Sequence, residues 1–129
     1  MIYPVRIIIA GGRDFTNYQL MKEEFHEFCQ GISAPDGSDY SYDDACIISG
    51  MARGADKLGI KLADELGIQT AKYPARWQQY GSSAGYIRND EMASNGTHLL
   101  AFHDGSSRGT AHMINRAKAK SLDVTIVRY

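Results

Sequence analysis

Val5-Arg-Ile-Ile-Ile-Ala10 is an almost unbroken β-branched run, and it constrains the fold more than any other stretch of the chain. A strand with one face in water alternates apolar and polar residues. One without alternation is buried on both faces, as in the middle of a parallel sheet. Gly11-Gly12-Arg13-Asp14-Phe15 ends the run, and Met21, Phe25, Phe28 and Cys29 then recur at helical spacing. The spacing predicts a helix over about 17–30. Thr16-Asn-Tyr-Gln19 has capping-box spacing, with Gln19 reaching back to Thr16.

The same sentence structure repeats. Ala45-Cys-Ile-Ile-Ser49 leads through Gly50-Met-Ala-Arg-Gly-Ala-Asp56 into a stripe of Ala55, Leu58, Leu62 and Leu66, with Ala63 beside it and Gly67 as a stop. Ile68 to Tyr73 reads as a short third strand. Pro74-Ala-Arg-Trp77 breaks the pattern, and a helix follows from Gly81 to Met92, where Arg88 and Met92 share a face. Thr97-His-Leu-Leu-Ala-Phe102 is a fourth strand, a helix runs from Thr110 to about Leu122, and Asp123 to Arg128 is a fifth strand. The order βαβαβαβαβ predicts an α/β, Rossmann-like three-layer sandwich with a mostly parallel five-stranded sheet in the order 3-2-1-4-5.

At 129 residues the chain is expected to form one domain over residues 1–129. Residues 31–44 lack any period and read as a mobile surface loop; its Tyr40 and Tyr42 either cover a site or partner, or are simply exposed. The formal charge of −1 offers no basic field for duplex nucleic acid. No apolar run approaches the ~20 residues of a membrane span, and the first residues do not resemble a signal peptide. Cys29 and Cys46 form no Cys-x-x-Cys pair and read as reduced thiols of a cytoplasmic protein. His98 and His103 lie five apart on a strand and point to opposite faces, and His26 and His112 fall on different helices, so no metal site and no cofactor is expected.

His103-Asp-Gly-Ser-Ser-Arg-Gly-Thr110 joins a strand to a helix start. Glycines let the backbone approach a ligand, and the first N–H groups of the helix face an anion. Gly105, Ser106, Ser107, Arg108, Gly109 and Thr110 therefore read as a phosphate cradle. Ligands of doubly wound sheets bind outside the strands' carboxyl ends near the switch point. Gly11, Gly12 and Arg13 lie at such an end, as do Gly50, Ala52, Arg53, Gly54 and Asp56. Asp56 either complements the helix dipole or accepts a ribose hydroxyl. Trp77 either stacks on a base or plugs the core. Neither Gly-x-Gly-x-x-Gly nor Gly-x₄-Gly-Lys-Ser/Thr occurs, which excludes ordinary NAD and P-loop fingerprints.

Gly11-Gly-Arg-Asp-Phe15, Gly50 to Asp56, Ala75-Arg-Trp77, Ala84-Gly-Tyr-Ile-Arg-Asn89 and Ala101 to Thr110 together resemble the YspA-type (YAcAr) branch of the SLOG superfamily. The resemblance implies a Rossmann-like fold, homo-oligomers (dimer or tetramer) and binding of a nucleotide or nucleotide-derived small molecule at the glycine turns. It implies ligand sensors or processors in phage and bacterial conflict. The similar LOG phosphoribohydrolases carry an arginine in the third helix, matched by Arg88 beside Asn89, and Gly-Thr-x-x-Glu, matched by Gly109-Thr110 but with Met113 at the glutamate. A methionine neither gives nor takes a proton, which argues against that hydrolysis. DprA-like DNA-binding relatives share the fold, and the near-neutral charge weighs against their activity here.

Overall fold

The computed structural model describes residues 3–32 and 41–129. Its strands are β1 (Val5–Gly11), β2 (Ala45–Ser49), β3 (Gln69–Lys72), β4 (His98–His103) and β5 (Asp123–Arg128). They pair in the expected order β3-β2-β1-β4-β5, every pair parallel. β1 is central, as its unalternating sequence requires: Ile7, Ile8 and Ile9 have no solvent exposure, and Ile8 stands between Ile48 of β2 and Leu99 of β4.

The helices are α1 (Tyr18–Gln30), α2 (Ala55–Leu66), a single-turn α3 (Trp77–Tyr80), α4 (Ala84–Asn95) and α5 (Arg108–Ala119). α1 and α2 cover one sheet face, where Phe25 and Leu62 pack with Ile7, Ile9, Ile47, Leu100 and Phe102. On the other face Met92 of α4 and Met113 and Ile114 of α5 pack with Ile8, Ile48 and Leu99. Each fully buried side chain of this size contributes roughly 1.5–3 kcal/mol relative to leaving it in water. Among the described residues no helix is long and apolar enough to cross a membrane.

Several boundaries differ from the sequence reading. The α1 cap is Asn17, not Thr16, because the short Asn17 side chain reaches the Leu20 N–H at 3.0 Å, while Gln19 turns along the helix to Glu23. Gly67 stops α2 in the left-handed conformation expected of it, but Leu66, in the last turn, is exposed. α5 begins at Arg108 rather than Thr110, because Ser107 takes the cap position: its hydroxyl accepts from the Thr110 N–H and pairs with the Thr110 hydroxyl. The Pro74 break is followed by α3 and a 3₁₀ turn (Gly81–Ser83), so α4 starts at Ala84. Of the expected loop 31–44, residues 33–40, with Tyr40, lie outside the described residues. Residues 42–44 form a 3₁₀ turn held by a Ser41 capping box, and Tyr42 leans on Phe25 of the core rather than covering a site.

Candidate functional site

At the carboxyl ends of the strands, the turn after β1 meets the start of α2. The Gly12 carbonyl accepts from the N–H groups of both Ala55 and Phe15, at 3.2 Å each, and the Gly12 N–H donates to the Phe102 carbonyl of β4 at 3.2 Å. Gly54 precedes α2 with φ +82°, a conformation that suits a residue without Cβ, and a Cβ there would collide with the Gly12 carbonyl.

The β2–α2 turn is folded around Asp56. Its Oδ2 accepts from the Ala52 N–H at 3.2 Å, and its carbonyl accepts from the Ser49 hydroxyl at 3.0 Å. Ser49 Oγ also takes the Met51 N–H at 3.2 Å, which helps hold Met51 in a left-handed conformation, φ +67°. From α4, Arg88 reaches into this turn. Its Nη1 donates to the Gly50 carbonyl and its Nε to Asn89 Oδ1. Asn89 Nδ2 in turn lies 3.2 Å from both the Gly109 carbonyl and His112 Nδ1, tying α4 to α5.

The β4–α5 turn is built differently from the expected cradle. Asp104 Oδ1 accepts from the N–H groups of Ser106 (2.8 Å) and Ser107 (2.9 Å). Two amides that the sequence offered to phosphate therefore bind the turn's own carboxylate. The Thr110 N–H is taken by Ser107. By helix geometry the N–H groups of Arg108 and Gly109 remain without an intrahelical partner.

These turns enclose a cleft of about 550 Å³. Of the residues expected in a site, Gly11, Gly12, Arg13, Ala52, Arg53, Asp56, Arg88, Asn89, Ser107, Gly109 and Thr110 line it. Gly50 and Trp77 line an adjoining groove with Arg13, Arg53 and Arg88. Gly54, Gly105, Ser106 and Arg108 do not line the cleft: Gly54 faces the β1 turn, Gly105 faces the Arg128 guanidinium, and Ser106 and Arg108 are exposed. Trp77 is 51% exposed, so it is no core plug.

The cleft also contains residues the expected set omitted. Ala10, Met92 and Met113 form an apolar floor, and Asp14 and Asp104 bring carboxylates to the wall. Tyr129 donates its hydroxyl to Asp14 Oδ1 at 2.6 Å and packs edge-on against Phe15. Asp104 was findable from its spacing, since an Asp two residues before an N–H is an Asx-turn signal. Met92 shares a face with Arg88. Nothing local marks Asp14 or Tyr129.

Burial dominates the electrostatics. It pushes the Asp56 carboxyl up to about 6, against the opposing pull of the Arg88 charge, the Ala52 and Gly11 N–H groups and Arg13. Burial likewise lowers Arg88, partly offset by Asp56. The Ser106 and Ser107 amides hold Asp104 below the usual carboxylate range. Burial and the Arg116 charge push His112 down. Among the described residues no group of three or more His, Cys, Asp or Glu is placed to hold a metal ion. The result is a cleft whose walls carry three guanidinium groups and three carboxyls, Asp14, Asp56 and Asp104, above an apolar floor, with burial pushing Asp56 up to about 6.

Comparison with known proteins agrees with this architecture. Over 98% of its length the chain superimposes on DNA processing protein A (DprA) from Streptococcus pneumoniae, with a TM-score of 0.70 and 17% identity, and it spans about half (51%) of that chain. That likeness concerns the fold. The chain is 30% identical to the Gene 61 protein of Mycobacterium phage D29, covering 92% of this chain and 93% of the relative. The model of the "YspA, cpYpsA-related SLOG family" matches residues 5–80, from β1 through α3, including the turns at Gly11 and Gly50. The chain therefore belongs to the YspA, cpYpsA-related SLOG family.

Proposed function

We propose that the cleft binds a nucleotide or nucleotide-derived signalling molecule, such as an ADP-ribose-like or cyclic nucleotide, and that the protein senses or sequesters it. The observation that carries this reading is three guanidinium groups facing a cleft whose carboxylates, Asp14 and Asp104, are already hydrogen-bonded to Tyr129 and to the Ser106 and Ser107 amides, over an uncharged floor. Arg13, Arg53 and Arg88 face the cleft, Gly109 brings the α5 N-terminus to it, and Met92 and Met113 lie beneath. Guanidinium groups and a helix N-terminus both stabilise phosphate, and the nearly buried methionines leave the floor without charge. Met113 stands where the LOG-type motif has a glutamate, and it supplies no proton and no charge, which favours holding over cleaving. SLOG membership supports a nucleotide-related function. The phage relative is compatible with a role in phage–host conflict, and the family resemblance favours a homo-oligomer.

Thermal unfolding against mononucleotides, NAD, ADP-ribose and cyclic mono- and dinucleotides tests the reading. A ligand at ~100 times its dissociation constant stabilises the fold by roughly 2.7 kcal/mol. Stabilisation with the ligand recovered intact is the expected result. Absence of any shift across the panel rejects a nucleotide site.

One observation favours a second reading, a hydrolase that cleaves an N-glycosidic or phosphate bond. Asp56 is a buried carboxyl in the cleft, titrating near 6, where a proton donor and acceptor are both available. Consumption of a bound ligand by the wild type but not by Asp56→Asn would establish this reading.

A further inference from the structure

A second groove adjoins the main cleft, and the two share a wall. The groove, about 200 Å³, opens between α3 and α4, and Arg13, Arg88, Asn89 and Gly109 line it as well as the cleft. Beyond that wall its chemistry changes. Its sides are Trp77 and Tyr86, which are 51% and 47% exposed. Tyr86 packs against His112 with the rings tilted by 50° and their centroids 4.4 Å apart, and His112 is tied back to Asn89. Trp77 makes no ring contact among the described residues. Gly85 forms the floor: a Cβ there would lie 3.6 Å from the Trp77 ring and 3.8 Å from Arg88 Nη2.

The shared wall has spare donors. Arg88 uses Nε on Asn89 and Nη1 on Gly50, while Nη2 has no hydrogen-bond partner among the described residues and faces the groove. Arg13 is exposed and has no hydrogen bond among the described residues. Two guanidinium groups between two cavities are placed for phosphates that bridge them. Two exposed aromatic faces beyond them are placed for a planar ring, since aromatic side chains stack on bases of any identity.

We infer that the ligand has two ring-bearing halves joined through phosphates, a dinucleotide rather than a mononucleotide. One half lies in the main cleft, the phosphates lie at Arg13 and Arg88, and the second ring lies between Trp77 and Tyr86. This rests on the nucleotide-binding reading above and adds the length of the ligand to it.

Trp77 is the chain's single tryptophan. Its selectively excited fluorescence therefore reports on this groove and on the one it lines with Arg53, while thermal unfolding reports on binding anywhere in the site. The probes are AMP, ADP and NAD. The inference expects AMP and ADP to raise the melting temperature without quenching Trp77. It expects NAD to bind at least about tenfold tighter than AMP and to quench. Trp77→Ala then lowers NAD affinity about tenfold toward that of AMP and leaves AMP within about twofold, while Trp77→Phe keeps most of the NAD affinity. Equal affinities for AMP and NAD without quenching overturn the inference and leave the cleft reading standing. Quenching by AMP as strong as by NAD overturns the two-half ligand. Emission that shifts with protein concentration alone marks Trp77 as a contact between copies of the chain and overturns it too. No stabilisation by NAD overturns the inference, while the wider panel above decides the nucleotide reading.

Discussion

Asp56 and Arg88 meet across the backbone of Gly50: a Cβ built on that glycine would lie 2.7 Å from Asp56 Oδ2 and 2.6 Å from Arg88 Nη1. The acid and the base come from different helices, α2 and α4, and the missing side chain between them is what lets both reach the β2 turn. This junction joins the two faces of the sheet at the cleft, and its geometry sets the most direct expectations for the site.

Gly50→Ala forces the Arg88 guanidinium or the Asp56 carboxylate aside. The cost of such crowding is about 1–3 kcal/mol, so the chain is expected to fold with a lowered melting temperature and to lose most nucleotide-induced stabilisation. Unchanged stabilisation by nucleotide in Gly50→Ala would show that the Arg88 position does not matter for binding.

Asp56 makes stability depend on pH. Its folded value, about 6, lies above its ordinary 3.8, so the folded state binds the proton more tightly than the unfolded chain. Stability from this group is therefore full below about 4 and is lost as pH rises through about 6, by roughly 3 kcal/mol at most. Asp56→Asn keeps an acceptor for the Ala52 N–H and cannot ionise. Melting curves from pH 4 to 8 are expected to show a smaller decline between about pH 4 and 6 in the variant than in the wild type. Parallel profiles would place the carboxyl in water rather than under the turn.

Arg53 and Arg108 separate the cleft from the turn. Arg53 lines the cleft, and Arg108, though part of the glycine-rich stretch, does not. A charge-assisted hydrogen bond to phosphate contributes about 1.5–3 kcal/mol. Arg53→Ala is expected to weaken nucleotide binding tenfold or more, and Arg108→Ala to weaken it by less than threefold. Titration of both variants with one ligand checks the order, and the reverse order would move the phosphates onto the outer face of α5.

Ser107→Ala removes the α5 cap. The Thr110 N–H and hydroxyl both lose their partner, and a lost cap of this kind costs about 1 kcal/mol. Chemical denaturation is expected to show that loss with an unchanged denaturant slope. An unaltered midpoint would mean that water replaces the serine without penalty.

Much of this protein was legible before folding was considered. The unalternating β1, the glycines after β1 and β2 and the helical stripes are local patterns, and local patterns report burial and backbone conformation directly. They placed the sheet order and brought the Gly11–Arg13, Ala52–Asp56 and Ser107–Thr110 segments to one rim. The caps of α1 and α5 were less legible, because Thr16 and Asn17, or Ser107 and Thr110, are chemically similar candidates and only the turn geometry selects between them.

The amino-acid sequence by itself determined the alternation of strand and helix, the conformations that need glycine, and the uncharged Met113 at the floor of the cleft, since each depends on residue type and near neighbours. Tertiary structure alone decided how the polar groups are allotted. It turned the Ser106 and Ser107 amides onto Asp104, joined Arg88 to the Gly50 carbonyl, brought Tyr129 to Asp14 across 115 residues, and left Trp77 exposed beside a groove. Hydrogen bonds and burial depend on distance and direction between segments far apart in the chain. Spacing along the chain carries no measure of either until the sheet and its helices are assembled.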